Sequence, residues 1–224
     1  MFNIIFQFLK YRIIKNSRKK ILIKEINKLI NFQSKLTIVD YGSGYDCYIS
    51  RKLKKVLNER GIKTKFICYD NFEMINKNLN FKNKFKDNDI TIKNINNDFD
   101  VEKCDYLMVN DVLHHIDNIN YSKLEFIFEK FFNKSDRIIL KDHFQTGFFS
   151  NIVLKFMDYI GNSYYGLKTP KKYFNKKNFD NFLLKKGYFI EKKCLDIRYY
   201  SKYLLFFSNP DLHFIYLITK NHKS

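Results

Sequence analysis

Apolar positions along this chain change period repeatedly, and each change marks an element. Ile21, Ile23, Ile26, Leu29 and Ile30 recur at helical spacing, and two helices are predicted at 1–16 and 17–33. A short apolar run at 36–40 predicts a buried strand. Ile49, Leu53, Val56 and Leu57 return to helical spacing until Gly61 stops that helix. The run 65–69, closed by Asp70, predicts a second strand, followed by a short helix at 72–79 and a lysine/asparagine-rich loop at 80–88. Residues 90–95 alternate apolar with polar and predict a third strand. Strands at 106–109 and 137–140 flank an amphipathic helix at 124–132, and the fifth strand ends at Lys141-Asp142-His143. Helices are predicted at 148–159 and 174–186, with a polar-aromatic loop between them, and strands at 189–197 and 213–219 close the chain.

Five alternations of strand and helix followed by a strand pair predict an α/β fold. The sheet is mostly parallel with an antiparallel edge, and helices cover both faces in a three-layer sandwich. Ligands of such sheets lie beyond the carboxyl ends of the strands. Those ends carry Asp40, Gly42 and Gly44, then Asp70, residues 94–98, Asn110 and Asp111, and Asp142 and His143, so every polar candidate falls on one rim. At 224 residues the chain suits one α/β domain, and no linker divides it. The expected organisation is N-terminal helices over 1–33 and a ligand-binding domain over 34–224.

Composition then narrows the partners. The formal net charge is +18, from 41 Lys+Arg against 23 Asp+Glu. Such a charge suits nucleic acid or an anionic membrane. Yet lysine, asparagine, isoleucine, phenylalanine and tyrosine are all abundant while alanine and tryptophan are absent, the drift an AT-rich genome produces. Lysine also far outnumbers arginine, whose planar fork suits phosphate and base readout better. Drift is the favoured cause, and it argues against a nucleic-acid partner. The cysteines (Cys47, Cys68, Cys104 and Cys194) lack the spacing of a zinc site, so no metal is expected, and their usage fits a reducing cytoplasm. No apolar run approaches the ~20 residues of a membrane span. Residues 1–20 place apolar before basic positions, opposite to a secretory signal. They suit an interfacial helix at a membrane, although packing on the domain is the favoured reading.

The most telling segment is Ile38-Val39-Asp40-Tyr41-Gly42-Ser43-Gly44, a strand ending in an acid and two closely spaced glycines. Glycines there let backbone approach a ligand. A dinucleotide fingerprint needs a third glycine, but that position is Cys47. With Asp70, the segment Cys104-Asp105-Tyr106-Leu107-Met108-Val109-Asn110-Asp111-Val112-Leu113-His114-His115-Ile116, and Arg137-Ile138-Ile139-Leu140-Lys141-Asp142-His143, the chain resembles the class I S-adenosylmethionine-dependent methyltransferases over about 20–220. Lys-Asp-His and the following Met-Asp-aromatic-x-Gly-Asn block resemble a bacterial subgroup of that class.

The resemblance implies a Rossmann-like fold with a seven-stranded sheet, and S-adenosyl-L-methionine as cofactor. It places Asp40, Tyr41, Gly42, Ser43 and Gly44 against the methionine and ribose parts, and Asp70 on the ribose hydroxyls. Asn94 and Ile95 occupy the adenine position, with Asp98 a rival, and Asn110 and Asp111 face the methionine end. Many members carry glycine where this chain has Asp46; an acid near a helix N-terminus suits the dipole. The segment 144–174 is the expected lid or acceptor wall.

The implied reaction is methyl transfer to a small-molecule or lipid- or sugar-linked acceptor, O-methylation favoured. A hydroxyl acceptor needs a base, and histidine suits neutral pH. His143 leads, with Asp142 beside it and His115 as a further candidate; neighbours on a strand point oppositely, so an Asp142–His143 dyad requires a turn. A buried Asp158 would need a partner, for which Lys141 or Lys168 is available. The tyrosines Tyr159, Tyr164 and Tyr165 are read as packing residues more than substrate contacts. The alternatives are an RNA methyltransferase, weakened by the lack of an Asn/Asp-Pro-Pro-aromatic block after the fourth strand, and a non-catalytic binding protein on a cofactor fold. The expected location is cytoplasmic, with membrane-peripheral contact through residues 1–20 as a variant; oligomeric state is left open.

Overall fold

Alternation sends successive strand residues to opposite faces, and two cores result. Val39, Ile67, Leu107 and Ile138 build one; Ile38, Phe66, Met108 and Ile139 build the other. The structure is a computed structural model that describes residues 15–44, 46–71, 88–95, 101–116, 121–162, 169–195, 197 and 212–220. The interfacial candidate within 1–14, the short helix at 72–79 and the rival Asp98 lie outside the described residues.

Among the described residues seven strands form one sheet: β1 (Lys35–Tyr41), β2 (Lys63–Asp70), β3 (Ile90–Asn94), β4 (Tyr106–Asn110), β5 (Arg137–His143), β6 (Tyr188–Cys194) and β7 (His213–Lys220). Their order is β3-β2-β1-β4-β5-β7-β6. The first five pair in parallel, and β7 runs antiparallel between β5 and β6. The strand that reverses direction is thus the last in sequence but lies one place in from the edge. Its first residue, His213, pairs with His143, the last residue of β5. That register delivers a residue from the start of β7 to the rim where the parallel strands end.

Helices α1 (Lys15–Leu29), α2 (Tyr48–Glu59), α3 (Tyr121–Phe131), α4 (Phe148–Asn162) and α5 (Lys176–Lys185) flank the sheet. Leu22, Ile23, Ile26 and Leu29 of α1 are buried in the same core as Leu53 and Leu57 of α2. Gly61 adopts φ +78 just past α2, which ends the helix at little cost. Asn175 caps α5, its side chain accepting from the Asn178 amide. Among the described residues no helix is long and apolar enough to cross a membrane.

Tyr106 ties the base of the sheet together. Its buried hydroxyl accepts from the Asn31 amide at 3.0 Å and from Arg137 Nη1 at 3.1 Å. Tyr106→Phe strands both donors and should destabilise the protein by about 2 kcal/mol, read from urea unfolding. A variant as stable as the wild type would show that water replaces the hydroxyl.

Candidate active site

The loop after β1 is pinned to the end of β2. The amides of Gly42 and Ser43 both donate to the Tyr69 carbonyl, at 2.9 and 3.2 Å. The Gly44 amide donates to Asp70 Oδ2 at 2.6 Å, and the Asn71 amide to Asp70 Oδ1 at 2.8 Å. Each carboxylate oxygen of Asp70 keeps a further lone pair for a ligand hydroxyl. Burial lifts the Asp70 carboxyl above its ordinary range.

The two glycines serve different ends. Gly42 has φ +75, and a Cβ there would run into Val112 Cγ2. Gly44 has φ +73, and a Cβ there would meet nothing within 4 Å. The first glycine yields to the chain's own side chain; the second borders open space. Tyr41 turns its ring into the core, so only its backbone belongs to the loop.

Asp40 is buried beneath this loop, and burial pushes its carboxyl up to about 6, against the opposing hydrogen bond from the Ser50 hydroxyl. Asn110, at the end of β4, is also buried, and its side chain lies at the Asp40 carboxylate, which it helps to hold down. Asn94 is exposed next to Asp70, and Ile95 packs against the core while its amide donates to the Asp70 carbonyl at 2.8 Å. Asp46 lies 4.0 Å from Lys19 of α1, so an opposite charge from α1 faces the acid that stands in place of glycine. Cys47 and Cys68, far apart in sequence, meet below the loop, and the Cys47 thiol with burial raises the Cys68 thiol well above its usual range.

A dense charge network fills the rim over β4 and β5. Asp111 takes φ +56, a conformation aspartate tolerates better than most residues. Its carboxylate meets Arg18 at 2.8 Å, Lys141, and His143 Nε2 at 3.0 Å. Burial opposes ionisation of Asp111, but Lys141 and Arg18, with His143, hold it well below the usual carboxylate range. Lys141 is pushed down to about 8 by burial and by Arg18, against the pull of Asp111.

The turn required for an Asp142–His143 dyad is absent. The strand predicted to stop at 140 continues as β5 through His143, so Lys141 and His143 face Asp111 while Asp142 faces away. The side-chain partner of Asp142 is His114, whose Nδ1 lies 2.6 Å from its Oδ1. His114 Nε2 lies 3.3 Å from Asp158 Oδ2, and the Tyr173 hydroxyl donates to that same oxygen at 2.6 Å. Asp158 therefore pairs with His114 and Tyr173 rather than with Lys141; Lys168 lies outside the described residues. Burial alone would lower His114, yet Asp142 and Asp158 hold it up at about 10, so it is an imidazolium at neutral pH.

His143 and His115 take the opposite state. Burial and the ammonium of Lys141 lower His143; burial and the charge on His114 lower His115. The His115 ring lies 4.1 Å from that of His114 and is only half-buried. His143 is buried, with no hydrogen-bond partner for Nδ1 among the described residues. Asp111, His114 and His143 come close enough together to suggest a metal site. Both His114 nitrogens face carboxylates, however, and Lys141 already holds Asp111, so these donors neutralise one another.

Residues brought to the rim without a sequence signal are Arg18, Ser50, Tyr173 and His213. Arg18 belonged to a basic run in a chain rich in lysine, and nothing local set it apart.

The order β3-β2-β1-β4-β5-β7-β6, with its glycine loop, the acid after β2 and a polar rim, decides the architecture. The fold is that of the class I S-adenosylmethionine-dependent methyltransferases. No protein-family model matches the sequence, and no curated protein matches it. Solved structures do. Magnesium protoporphyrin IX methyltransferase from Synechocystis PCC 6803, with S-adenosylhomocysteine bound, is 15% identical and superposes over 92% of this chain and 85% of its own, TM-score 0.62. A S-adenosylmethionine-dependent methyltransferase from Aquifex aeolicus is 13% identical over 92% of this chain and 94% of its own, TM-score 0.58. The mitomycin 7-O-methyltransferase is 13% identical over 88% of this chain, TM-score 0.62; the present chain spans about half of that protein, 53%. At such identities the methyltransferase fold is what is shared.

Proposed function

We propose that this protein transfers a methyl group from S-adenosylmethionine to an acceptor oxygen on a small or lipid-linked molecule. The observation that carries the reading is the Gly42–Gly44 loop pinned to Asp70, with open space at Gly44. These residues fit the cofactor: Asp70 would take the ribose hydroxyls, the loop backbone the ribose and methionine, and Asn110 and Asp111 the methionine end. The bound cofactor supplies an activated methyl group on a sulfonium. The protein's part is then alignment and proton removal.

For the proton, His115 is favoured over His143. A base must touch the acceptor, and His115 is half-buried whereas His143 is enclosed and bonded to Asp111. Burial, and then the positive charge of His114, lower His115 below the ordinary histidine range, which favours the neutral ring that accepts a proton. Asp142 acts through His114, which it orients.

Titration calorimetry with S-adenosylmethionine tests the cofactor. We expect saturable binding, weakened roughly 10- to 100-fold in Asp70→Ala through loss of charge-assisted hydrogen bonds. No heat of binding to the wild-type chain would sink the proposal. His115→Asn should keep cofactor affinity while lowering turnover by about 100-fold or more. Full turnover in that variant would move the base to His143 or remove the need for one.

A further inference from the structure

Helix α4 presents two unlike faces. Leu154 and Asp158 turn inward, Leu154 against Tyr173 and Leu212, Asp158 against His114. On the other side Phe148 is 74% exposed, Phe149 78%, Ile152 50% and Tyr159 65%. At helical spacing Phe148, Ile152 and Tyr159 form one stripe, with Phe149 on its flank. The packing expected of Tyr159 is therefore not what the structure shows. Single exposed apolar residues are ordinary on a protein surface; an aligned aromatic stripe marks an interaction site.

A cavity of about 480 Å³ lies next to α4. Asn151, three residues after Phe148 and next to Ile152, lines it together with Gln145, Lys171, Lys172 and Tyr173. The side-chain oxygen of Asn151 is buried without a hydrogen-bond partner among the described residues. Lys171 and Lys172 are exposed and have no acidic partner among the described residues. Tyr173 connects this wall to the rim, since its hydroxyl holds Asp158 and its ring lies 5.7 Å from that of His114.

Exposed aromatic rings on α4, together with the lysines of the neighbouring cavity wall, match the chemistry of an anionic bilayer. Rings settle at the boundary of headgroups and acyl chains, and ammonium groups are drawn to the lipid phosphates. A second copy of the chain fits this face less well, because it would bring a net +18 against +18. We propose that α4 is a docking element for an anionic lipid surface, with its aromatic stripe seated at the headgroup boundary and the cavity opening onto lipid headgroups. The identity of those headgroups as acceptors rests on the methyl-transfer reading; the docking does not.

Flotation of the full chain with vesicles tests it. The chain should float with equal parts phosphatidylglycerol and phosphatidylcholine and far less with phosphatidylcholine alone. Phe148→Ser with Phe149→Ser should reduce binding by at least about tenfold, and Lys171→Glu with Lys172→Glu should reduce it on the anionic vesicles. Calorimetry with S-adenosylmethionine on each variant reports the fold and the cofactor site independently, so a failure of docking is distinguishable from a failure of the methyl-transfer reading. Three results would overturn the proposal. The wild-type chain could fail to float. Both variants could bind as it does. Deletion of residues 1–16 could abolish binding while the phenylalanine variant leaves it intact.

Discussion

Gly42→Ala should lower the melting temperature by about 10 °C and remove measurable affinity for S-adenosylmethionine. Two effects add. The backbone stays at φ +75, where a Cβ costs about 1–2 kcal/mol. The new methyl also runs into Val112 Cγ2, and overpacking of this kind costs about 1–3 kcal/mol. Together they come to about 3 kcal/mol, and each kcal/mol shifts the midpoint of a chain this size by roughly 2–4 °C. Relief of the clash would displace the amides that reach Tyr69 and Asp70, which explains the loss of binding. Adding Val112→Ala should restore about half of the stability, because it removes the clash and leaves the strain. Gly44→Ala should cost only the strain in stability, yet still weaken binding by filling open space. Thermal melts and calorimetry on the four proteins decide it; equal effects at Gly42 and Gly44 would refute the division of labour between them.

Asp142→Asn should be the most damaging single change on the rim. His114 is enclosed and charged, and its charge is held from two sides. Removing one member of a buried charge pair costs about 3–5 kcal/mol. The pH dependence carries the diagnostic sign. The folded pKa of His114, about 10, lies above its ordinary 6.5. Its stabilisation is therefore complete below pH 6.5 and is lost as pH rises toward 10. Lys141 has the opposite sign. The fold disfavours its ammonium, and that penalty is relieved between about 8 and 10.5. The stability of the wild type should fall most steeply between pH 6.5 and 8 and then flatten. In Asp142→Asn the first fall should become shallower, since only Asp158 then holds the charge on His114. Urea unfolding across that range checks both, and parallel curves for the two proteins would contradict an imidazolium at position 114.

Sequence periodicity was a sound guide wherever an element buried a regular face. The stripe of Ile23, Ile26 and Ile30 and the apolar runs of β1, β2 and β4 are found where the pattern places them. The sequence ends the strand at 140 because Lys141, Asp142 and His143 are polar, and polar residues usually leave a sheet. Here they remain in β5 because each finds a charged partner across the rim. The partner of Asp158 was illegible for a related reason. His114 reaches it from a turn after β4, and sequence distance carries no trace of that approach. The glycine pair was legible as a pair, but its two distinct roles depend on Val112, seventy residues downstream of Gly42.

The placement of β7 also bears on the life of the nascent chain. A ribosome delivers β5 and β6 before the strand that must lie between them, so the sheet is left open with two unsatisfied edges until residues 213–220 emerge. His213 then arrives beside His143, the two rings 4.8 Å apart. That part of the rim is complete only once β7 has paired with β5. Exposed strand edges invite mispairing for as long as they wait. A strand so long awaited, and joined to its neighbours only by distant contacts, makes closing of the sheet the natural slow step of maturation.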